Sequence, residues 1–136
     1  MDTKFLFLHR VNDDEIDGYG HVNNKAYVGW MQEAAIAHST AVGWDPSRYR
    51  SNGIGWLARS HTITYLQPAF VAEDVEVQTW VVDMKKVTSL RRYDIVRRTD
   101  AVTLATAETQ WVFVNLQSFK PLRIPPDIRE SFSPID

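Results

Sequence analysis

The pattern of apolar positions changes from strand-like to helix-like and back again along the chain. Residues 4 to 11 are rich in aromatic and branched side chains and run into a turn-prone acidic stretch, which predicts a first strand. From about Asn24 to Ala41 there is no proline, and apolar residues recur at helical spacing. We expect this segment to be the one long helix, with Asn23 and Asn24 as caps and Gly43 as its stop.

Four further strands are predicted in the second half of the chain, at residues 56 to 66, 74 to 83, 88 to 98 and 102 to 114. The short connections between them favour antiparallel neighbours. Residues 45 to 55 are expected to form a loop with one short helical turn, and the proline-rich segment from Pro121 to Pro134 is expected to lie on the surface as a tail. One long helix against a five-stranded antiparallel sheet is an α+β architecture.

The composition is that of an ordinary folded protein. A chain of 136 residues with 44% hydrophobic and 24% charged side chains suits a single domain spanning residues 1 to 136. Its net charge of −2 gives no overall attraction to nucleic acid, and the apolar run Phe5 to Leu8 is too short for a signal-peptide core, so no membrane partner is expected. The absence of cysteine excludes disulfides and a cysteine nucleophile, and the cytosol is the expected compartment.

Asp17 stands just before a glycine-containing turn that leads into the predicted helix. Such a turn places a carboxylate beside the helix N-terminus, where unpaired N–H groups and the positive end of the helix dipole can hold a developing oxyanion. The same spot therefore offers a base or nucleophile together with an electrophile. From residue type alone, a capping role for Asp17 is the commoner interpretation.

The stretch around Asp17 closely resembles the opening motif of the hotdog-fold thioesterases of the 4-hydroxybenzoyl-CoA thioesterase family and their acyl-CoA relatives. That motif is acid-x-Asp-x-x-Gly-His-Val-Asn-Asn-x-x-Tyr, and its members here are Glu15, Asp17, Gly20, His21, Val22, Asn23, Asn24 and Tyr27. Later family positions are occupied by Tyr65, Pro68, Ala69, Asp74, Ser89, Arg123 and Pro125. The resemblance thus covers nearly the whole chain.

The resemblance implies a hotdog fold, in which an antiparallel sheet wraps one long helix, and a homodimer or homotetramer with active sites at the interface. It also implies hydrolysis of an acyl-CoA or acyl-carrier-protein thioester. Asp17 would attack the carbonyl or activate water, and a backbone amide near Asn24 would polarise that carbonyl. We expect His21 to support the turn through hydrogen bonds, and the choice between the two roles of Asp17 stays open.

A basic segment in the second half of the chain suits the phosphates of CoA. Between Lys85 and Arg98 there are six cations against one acid, and Ser89, Arg91 and Arg92 are predicted to bind the nucleotide. A solvated strand face with cross-strand ion pairs accounts for this charge about as well. Neighbouring arginines on a strand point to opposite faces, so not all six cations can contact one ligand.

Two other functions stay open. One is a hydratase or dehydratase of enoyl or hydroxyacyl thioesters, with Asp17 and His21 as the working pair, and the other is an acyl-binding module without turnover. Glu33, on the predicted helix, is expected to face solvent or an interface and is the fallback base. No spacing of histidines and acids suggests zinc, and no phosphate-binding loop is present, so neither a metal nor a nucleotide cofactor is expected. The acyl group stays unassigned, although Trp30, Trp56 and Trp80 are candidates to line its pocket.

Overall fold

A computed structural model describes residues 4–135 of the chain. In chain order its elements are β1 (Phe5–Arg10), a 3₁₀ turn (Asp13–Glu15), α1 (Asn24–Ala41), α2 (Pro46–Ser51), β2 (Ile54–Tyr65), β3 (Asp74–Met84), β4 (Thr88–Arg97), β5 (Thr103–Asn115) and α3 (Pro126–Phe132). The predicted long helix and the predicted strands are confirmed, with strand ends that differ by at most two residues. No helix within residues 4–135 is long and apolar enough to cross a membrane.

The five strands form one antiparallel sheet in the order β1-β3-β4-β5-β2, which confirms the α+β prediction. Alternation along β3 decides which face is covered: Val75, Val77, Thr79 and Val81 are buried, whereas the residues between them are partly exposed. The inner face packs against α1, and β1 and β2 are left as the two edges. β2 is the longer edge strand, with 12 residues.

α1 lies across the inner face of the sheet because one side of it is apolar and slender. Tyr27, Trp30 and Met31 are buried, and the fully buried Ala34 keeps the helix surface flat where it meets the sheet. The helix begins where the side chain of Asn23 accepts a hydrogen bond from the N–H of Ala26 at 2.8 Å. The predicted cap at Asn23 is thereby confirmed.

The C-terminal segment corrects the sequence analysis. Instead of lying on the surface as a tail, residues 121 to 134 contain α3, and Ile124, Ile128 and Phe132 are buried in a second apolar cluster with Trp44 and Phe113. Ile128 and Phe132 are four residues apart, which places them on one side of α3, and Ile124 joins the cluster from the segment before the helix. Proline at the first helical position is well tolerated, because the N–H that it lacks would have no partner there anyway.

Candidate active site

The predicted catalytic carboxylate lies in a tight turn that joins the 3₁₀ turn to α1. A bridge between Ile16 and Val22 closes the turn, and the N–H of Asp17 donates to the carbonyl of His21 at 2.8 Å. Gly20 has a φ of +85°, a conformation that side chains disfavour. The chain therefore reverses within a few residues and presents Asp17 beside the start of the helix.

The carboxylate of Asp17 has few partners of its own. Its Oδ1 accepts a hydrogen bond from the N–H of Tyr19 at 2.9 Å, and its Oδ2 lies 3.4 Å from Nδ1 of His21. The side chain remains 27% exposed. An ionised carboxylate offers about four acceptor positions, so Asp17 keeps free capacity for water or for a substrate.

His21 is placed to orient Asp17. Its Nδ1 lies 3.1 Å from the carbonyl oxygen of Val22 as well as 3.4 Å from Oδ2 of Asp17. Both neighbours are acceptors, so this arrangement requires a hydrogen on Nδ1. The ring of Tyr19 stacks against it with centroids 6.3 Å apart. The supporting role of His21 stays a prediction.

The first turn of α1 supplies free backbone donors next to this turn. Asn24 is the first helical residue, and neither its N–H nor that of Lys25 is hydrogen-bonded to another residue of the described part of the chain. The carbonyl of Asn24 accepts a hydrogen bond from the hydroxyl of Tyr65 at 3.2 Å. The helix start is thus fixed at its carbonyl while its N–H groups stay available.

Glu15 anchors the turn from behind, a role that the sequence analysis missed. One carboxylate oxygen accepts from Nε2 of His9 at 2.7 Å and from the N–H of Asn12 at 3.1 Å, and the other accepts from Nε1 of Trp30 at 2.6 Å. Its backbone carbonyl binds both the N–H and the side-chain amide of Asn23. Burial raises the pKa of Glu15, but the hydrogen bonds outweigh it and leave this pKa below its usual value.

A cavity of about 370 Å³ opens between the C-terminal half of α1, α2 and the inner face of the sheet. Its walls are largely apolar and include the aromatic residues Trp44, Tyr49, Trp56, Trp111 and Phe132. Of the tryptophans considered from the sequence, Trp56 lines this cavity, whereas Trp30 is buried in the main core and Trp80 lies on the outer face of the sheet. A volume of this size is within the range of small-molecule sites.

The cavity and Asp17 of the same chain lie toward opposite ends of α1. The helix residues that line the cavity run from Gln32 to Ser39. They are eight to fifteen residues beyond Asn24, which corresponds to ~12–22 Å along the helix axis. A ligand that fills the cavity therefore has its reacting end far from Asp17 of its own chain.

The predicted nucleotide-binding residues on β4 are divided by the sheet. Ser89 and Arg91 are buried on the inner side and line the cavity. Arg92 is exposed on the outer face, with its Nε 3.5 Å from a carboxylate oxygen of Glu108. Within one chain the three residues cannot all reach the same ligand. Their part in binding CoA stays a prediction.

The profile of the Thioesterase-like superfamily matches residues 11–132. The chain belongs to this superfamily. The fold is similar to that of a 1,4-dihydroxy-2-naphthoyl-CoA thioesterase from Synechocystis, with a TM-score of 0.87, 19% identity, and 95% of each chain covered. It is also similar to a DHNA-CoA thioesterase from Staphylococcus aureus, with a TM-score of 0.89, 22% identity, and coverage of 96% of this chain and 89% of that one.

A third similar structure is the Staphylococcus aureus protein SAV2348 in complex with CoA, with a TM-score of 0.88, 14% identity, and coverage of 96% of this chain and 83% of that one. At such identities the likeness concerns the fold, and the hotdog fold implied by the sequence resemblance is confirmed. The matched segment contains the turn around Asp17, all of α1 and the cavity walls.

Two other kinds of site were considered from the sequence: a metal site and a catalytic base at Glu33. Within residues 4–135, no three side chains of His, Asp or Glu come close enough together to hold a metal ion. Glu33, the fallback base, is exposed on α1 and does not border the cavity. Of the predicted catalytic groups, the structure brings Asp17, His21 and the start of α1 together in one region of a single chain.

Proposed function

We propose that this protein hydrolyses an acyl thioester of CoA or of acyl carrier protein to a free acid and a thiol. Membership in the Thioesterase-like superfamily supports thioester hydrolysis as the class of reaction. The observation that carries the assignment to Asp17 is its accessible carboxylate, held by Tyr19 and His21 in the turn before α1. Free N–H groups at the helix start supply the matching electrophilic partner.

In the proposed reaction the thioester carbonyl oxygen accepts a hydrogen bond from the helix N–H near Asn24. The positive end of the helix dipole stabilises the negative charge that develops on this oxygen. Asp17 either attacks the carbonyl carbon, expelling the thiolate and forming an anhydride that water then cleaves, or takes a proton from the water that attacks directly. In both routes the thiolate leaves and takes up a proton. His21 holds Asp17 in its orientation.

The proposed enzyme is an oligomer with shared active sites. β2 is a 12-residue edge strand on which Leu57 is exposed, and β-sheet edges of this length need a partner or a cover. Antiparallel pairing of two β2 strands about a two-fold axis reverses the direction of α1 in the second copy. That reversal would turn Asp17 of one copy toward the cavity of the other, which overcomes their separation within one chain.

The aromatic cavity and the similar structures support a CoA thioester as the substrate. One of the similar proteins is named as a 1,4-dihydroxy-2-naphthoyl-CoA thioesterase and another as a DHNA-CoA thioesterase, and a third was solved with CoA. Of the residues predicted to bind the nucleotide, Arg92 is the exposed one, and we propose that it contacts a CoA phosphate from the outer face of the sheet. Ser89 and Arg91 face the cavity instead.

The experiment that tests the proposal compares two aspartates that are close in sequence. Asp17→Asn keeps the shape of the side chain but can neither attack a carbonyl nor accept a proton, so turnover of acyl-CoA substrates should fall at least ~100-fold. Asp14→Asn, at an exposed position in the preceding 3₁₀ turn, should hydrolyse at the parental rate. Release of thiol across short, long and aromatic acyl-CoAs is the measurement.

The same assay separates the alternatives. A hydratase would change the absorbance of an enoyl-CoA without releasing thiol, and a binding module would bind acyl-CoA without changing either signal. If Asp17→Asn and the parental protein hydrolyse acyl-CoA equally fast, the catalytic assignment of Asp17 is wrong. Circular dichroism and acyl-CoA binding by the variant show whether its loss of turnover has a structural cause.

A further inference from the structure

Arg91 is a buried cation whose interactions within residues 4–135 leave its charge uncompensated. Its side chain lies on the inner side of β4, and the residue is 4% exposed. Its Nη1 donates to Oγ1 of Thr79 and to Nδ1 of His38, each at 3.0 Å. Among residues 4–135 none of the ion pairs includes Arg91. A buried charge without a counter-ion is costly, so an anion supplied from outside would be strongly favoured there.

The titratable groups around Arg91 are neutral at physiological pH. Burial, reinforced by the charge of Arg91, lowers the pKa of His38 to about 4, so its imidazole is uncharged and Nδ1 serves as an acceptor. Burial raises the pKa of Tyr49 and of Tyr93, so both hydroxyls keep their protons. None of the three side chains supplies negative charge.

The unused donors of Arg91 border open space. A guanidinium carries five N–H groups, and those on Nε and Nη2 have no hydrogen-bond partner in the described part of the chain. In that part, Nε of Arg97 is the one fully buried side-chain nitrogen or oxygen atom without a hydrogen-bond partner. Because Nε and Nη2 of Arg91 also lack a partner, these two atoms are not fully buried. Since Arg91 lines the cavity, a ligand in the cavity could accept hydrogen bonds from these donors.

Apart from the uncharged polar residues Gln32, Ser39 and Ser89, the rest of the cavity wall is apolar, aromatic or positively charged. Its second charged lining residue is Arg50, and no Asp or Glu of residues 4–135 lines it. Tryptophan and phenylalanine rings such as Trp56 and Phe132 would flank a hydrocarbon body. A chamber of this kind suits an acyl group better than the hydrated diphosphate and ribose of CoA.

We propose that the cavity takes an acyl group bearing a carboxylate, and that Arg91 binds this carboxylate through Nε and Nη2. Two parallel N–H groups of a guanidinium match the two oxygens of a carboxylate. Arg91 is then a specificity-determining residue: it selects thioesters of dicarboxylic acids over those that end in a methyl group. This inference rests on the proposed thioester hydrolysis and adds its substrate class.

The test uses two substrate pairs of matched shape: 4-carboxybenzoyl-CoA with 4-methylbenzoyl-CoA, and adipoyl-CoA with hexanoyl-CoA. The parental protein should prefer the carboxylate member in kcat/KM by ~10-fold or more, the scale of a charge-assisted hydrogen bond. In Arg91→Met this ratio should fall to about one. Arg92→Met removes the neighbouring charge on the outer face, which we propose contacts CoA, so it should change kcat/KM equally for both members of a pair and leave their ratio unchanged. A parental protein without a preference for the carboxylate overturns the inference, whether or not Arg91→Met folds.

Pantetheine thioesters of the same acyl groups distinguish the acyl carboxylate from a CoA phosphate. If Arg91→Met lowers kcat/KM equally for both members of a pair, and the loss disappears with pantetheine thioesters, Arg91 binds the nucleotide and the inference is wrong. Calorimetric titration with 4-carbamoylbenzoate, which carries one carboxylate, and with the uncharged 4-methylbenzamide separates this inference from the proposed function. Arg91-dependent binding of 4-carbamoylbenzoate alone would support the anion site even in a protein that hydrolyses no thioester.

Discussion

Asp17 combines a fixed position with spare acceptor capacity, and its surroundings explain both. The backbone N–H of Tyr19 fixes Oδ1, and Nδ1 of His21 lies near Oδ2 without the close contact of a strong ion pair. A carboxylate enclosed by several donors would be a poor nucleophile. Glu15, two residues earlier, is such a carboxylate, with both of its oxygens occupied. The environment of Glu15 suits a residue that fixes the turn, whereas that of Asp17 suits the proposed nucleophile or base.

We predict that Glu15→Gln destabilises the protein by ~1–3 kcal/mol at neutral pH, because the donors from His9, Asn12 and Trp30 lose a charged acceptor. The folded state lowers the pKa of Glu15. Its stabilisation is therefore present above the unfolded value of ~4.3 and is lost as the pH falls through the lower, folded-state pKa. Urea unfolding of the parental protein and of Glu15→Gln from pH 7 to pH 3 measures the pH dependence. The difference in unfolding free energy between the two proteins should become smaller toward pH 3.

Glu33→Gln is the matched control for this prediction. Glu33 is exposed on α1 and makes no side-chain hydrogen bond within residues 4–135, so the substitution should change the unfolding free energy by less than ~0.5 kcal/mol. A gap between Glu15→Gln and the parental protein that stays constant down to pH 3 would contradict the linkage argument. Equal stability of the two Gln variants would show that Glu15 is not an anchor.

Sequence reasoning located Asp17, His21 and Asn23 because they lie within one short segment, where a turn brings them together whatever the rest of the fold does. It did not locate the environment of Arg91. Charge suggested an exposed residue, but Arg91 shares its strand parity with the buried Tyr93 and Ile95, and that period-two pattern decides which face it joins. The parity was available in the sequence. The space around Arg91 was not, because segments distant along the chain form the walls of the cavity.

At the scale of elements, α1 and α3 show why one helix was predictable and the other was not. α1 has 18 residues with a cap at each end and an uninterrupted apolar side, so local signals agree over its whole length. α3 has seven residues and begins with Pro126 directly after Pro125, and such prolines are typical of loops. It is a helix because Ile128 and Phe132 find a cluster to pack against, and that cluster comes from residues far away in the sequence.

We predict that Ile128→Ala lowers the free energy of unfolding by ~2–5 kcal/mol, the usual cost of removing a buried branched side chain. Glu130→Ala, at an exposed position of the same helix, should change it by less than ~0.5 kcal/mol. Thermal or urea unfolding of the two variants gives the comparison. If both leave stability unchanged, the segment behaves as the surface tail that the sequence suggested, and its packing against the second cluster makes no net contribution.

At the scale of the whole molecule, the two sheet edges differ in what they leave uncovered. β1 has six residues and β2 has 12, and beside β2 the helix residue Ile36 is 51% exposed at the rim of the cavity. A cavity that opens next to a long edge strand is completed most simply by a second copy of the chain. The sequence implied an oligomer through its family resemblance and through the sheet edge and aromatic surface that an open sheet around one helix leaves uncovered. The unequal lengths of the two edges and the separation between the cavity and Asp17 indicate which edge a second copy would cover.

The last prediction therefore compares the same substitution on the two edges. Leu57 on β2 and Leu8 on β1 are exposed to 42% and 54%. Leu57→Lys would bring two like charges together across a two-fold axis that joins β2 strands, so it should dissociate the oligomer and remove thioester hydrolysis together. Leu8→Lys should leave both the oligomer and the hydrolysis intact.

Sedimentation velocity at micromolar concentration, with turnover measured on the same samples, compares the two variants. A parental monomer with full activity would exclude a site shared between copies. If Leu8→Lys alone dissociates the oligomer, the interface lies at β1. The proposal that Asp17 of one copy faces the cavity of the other would then be wrong.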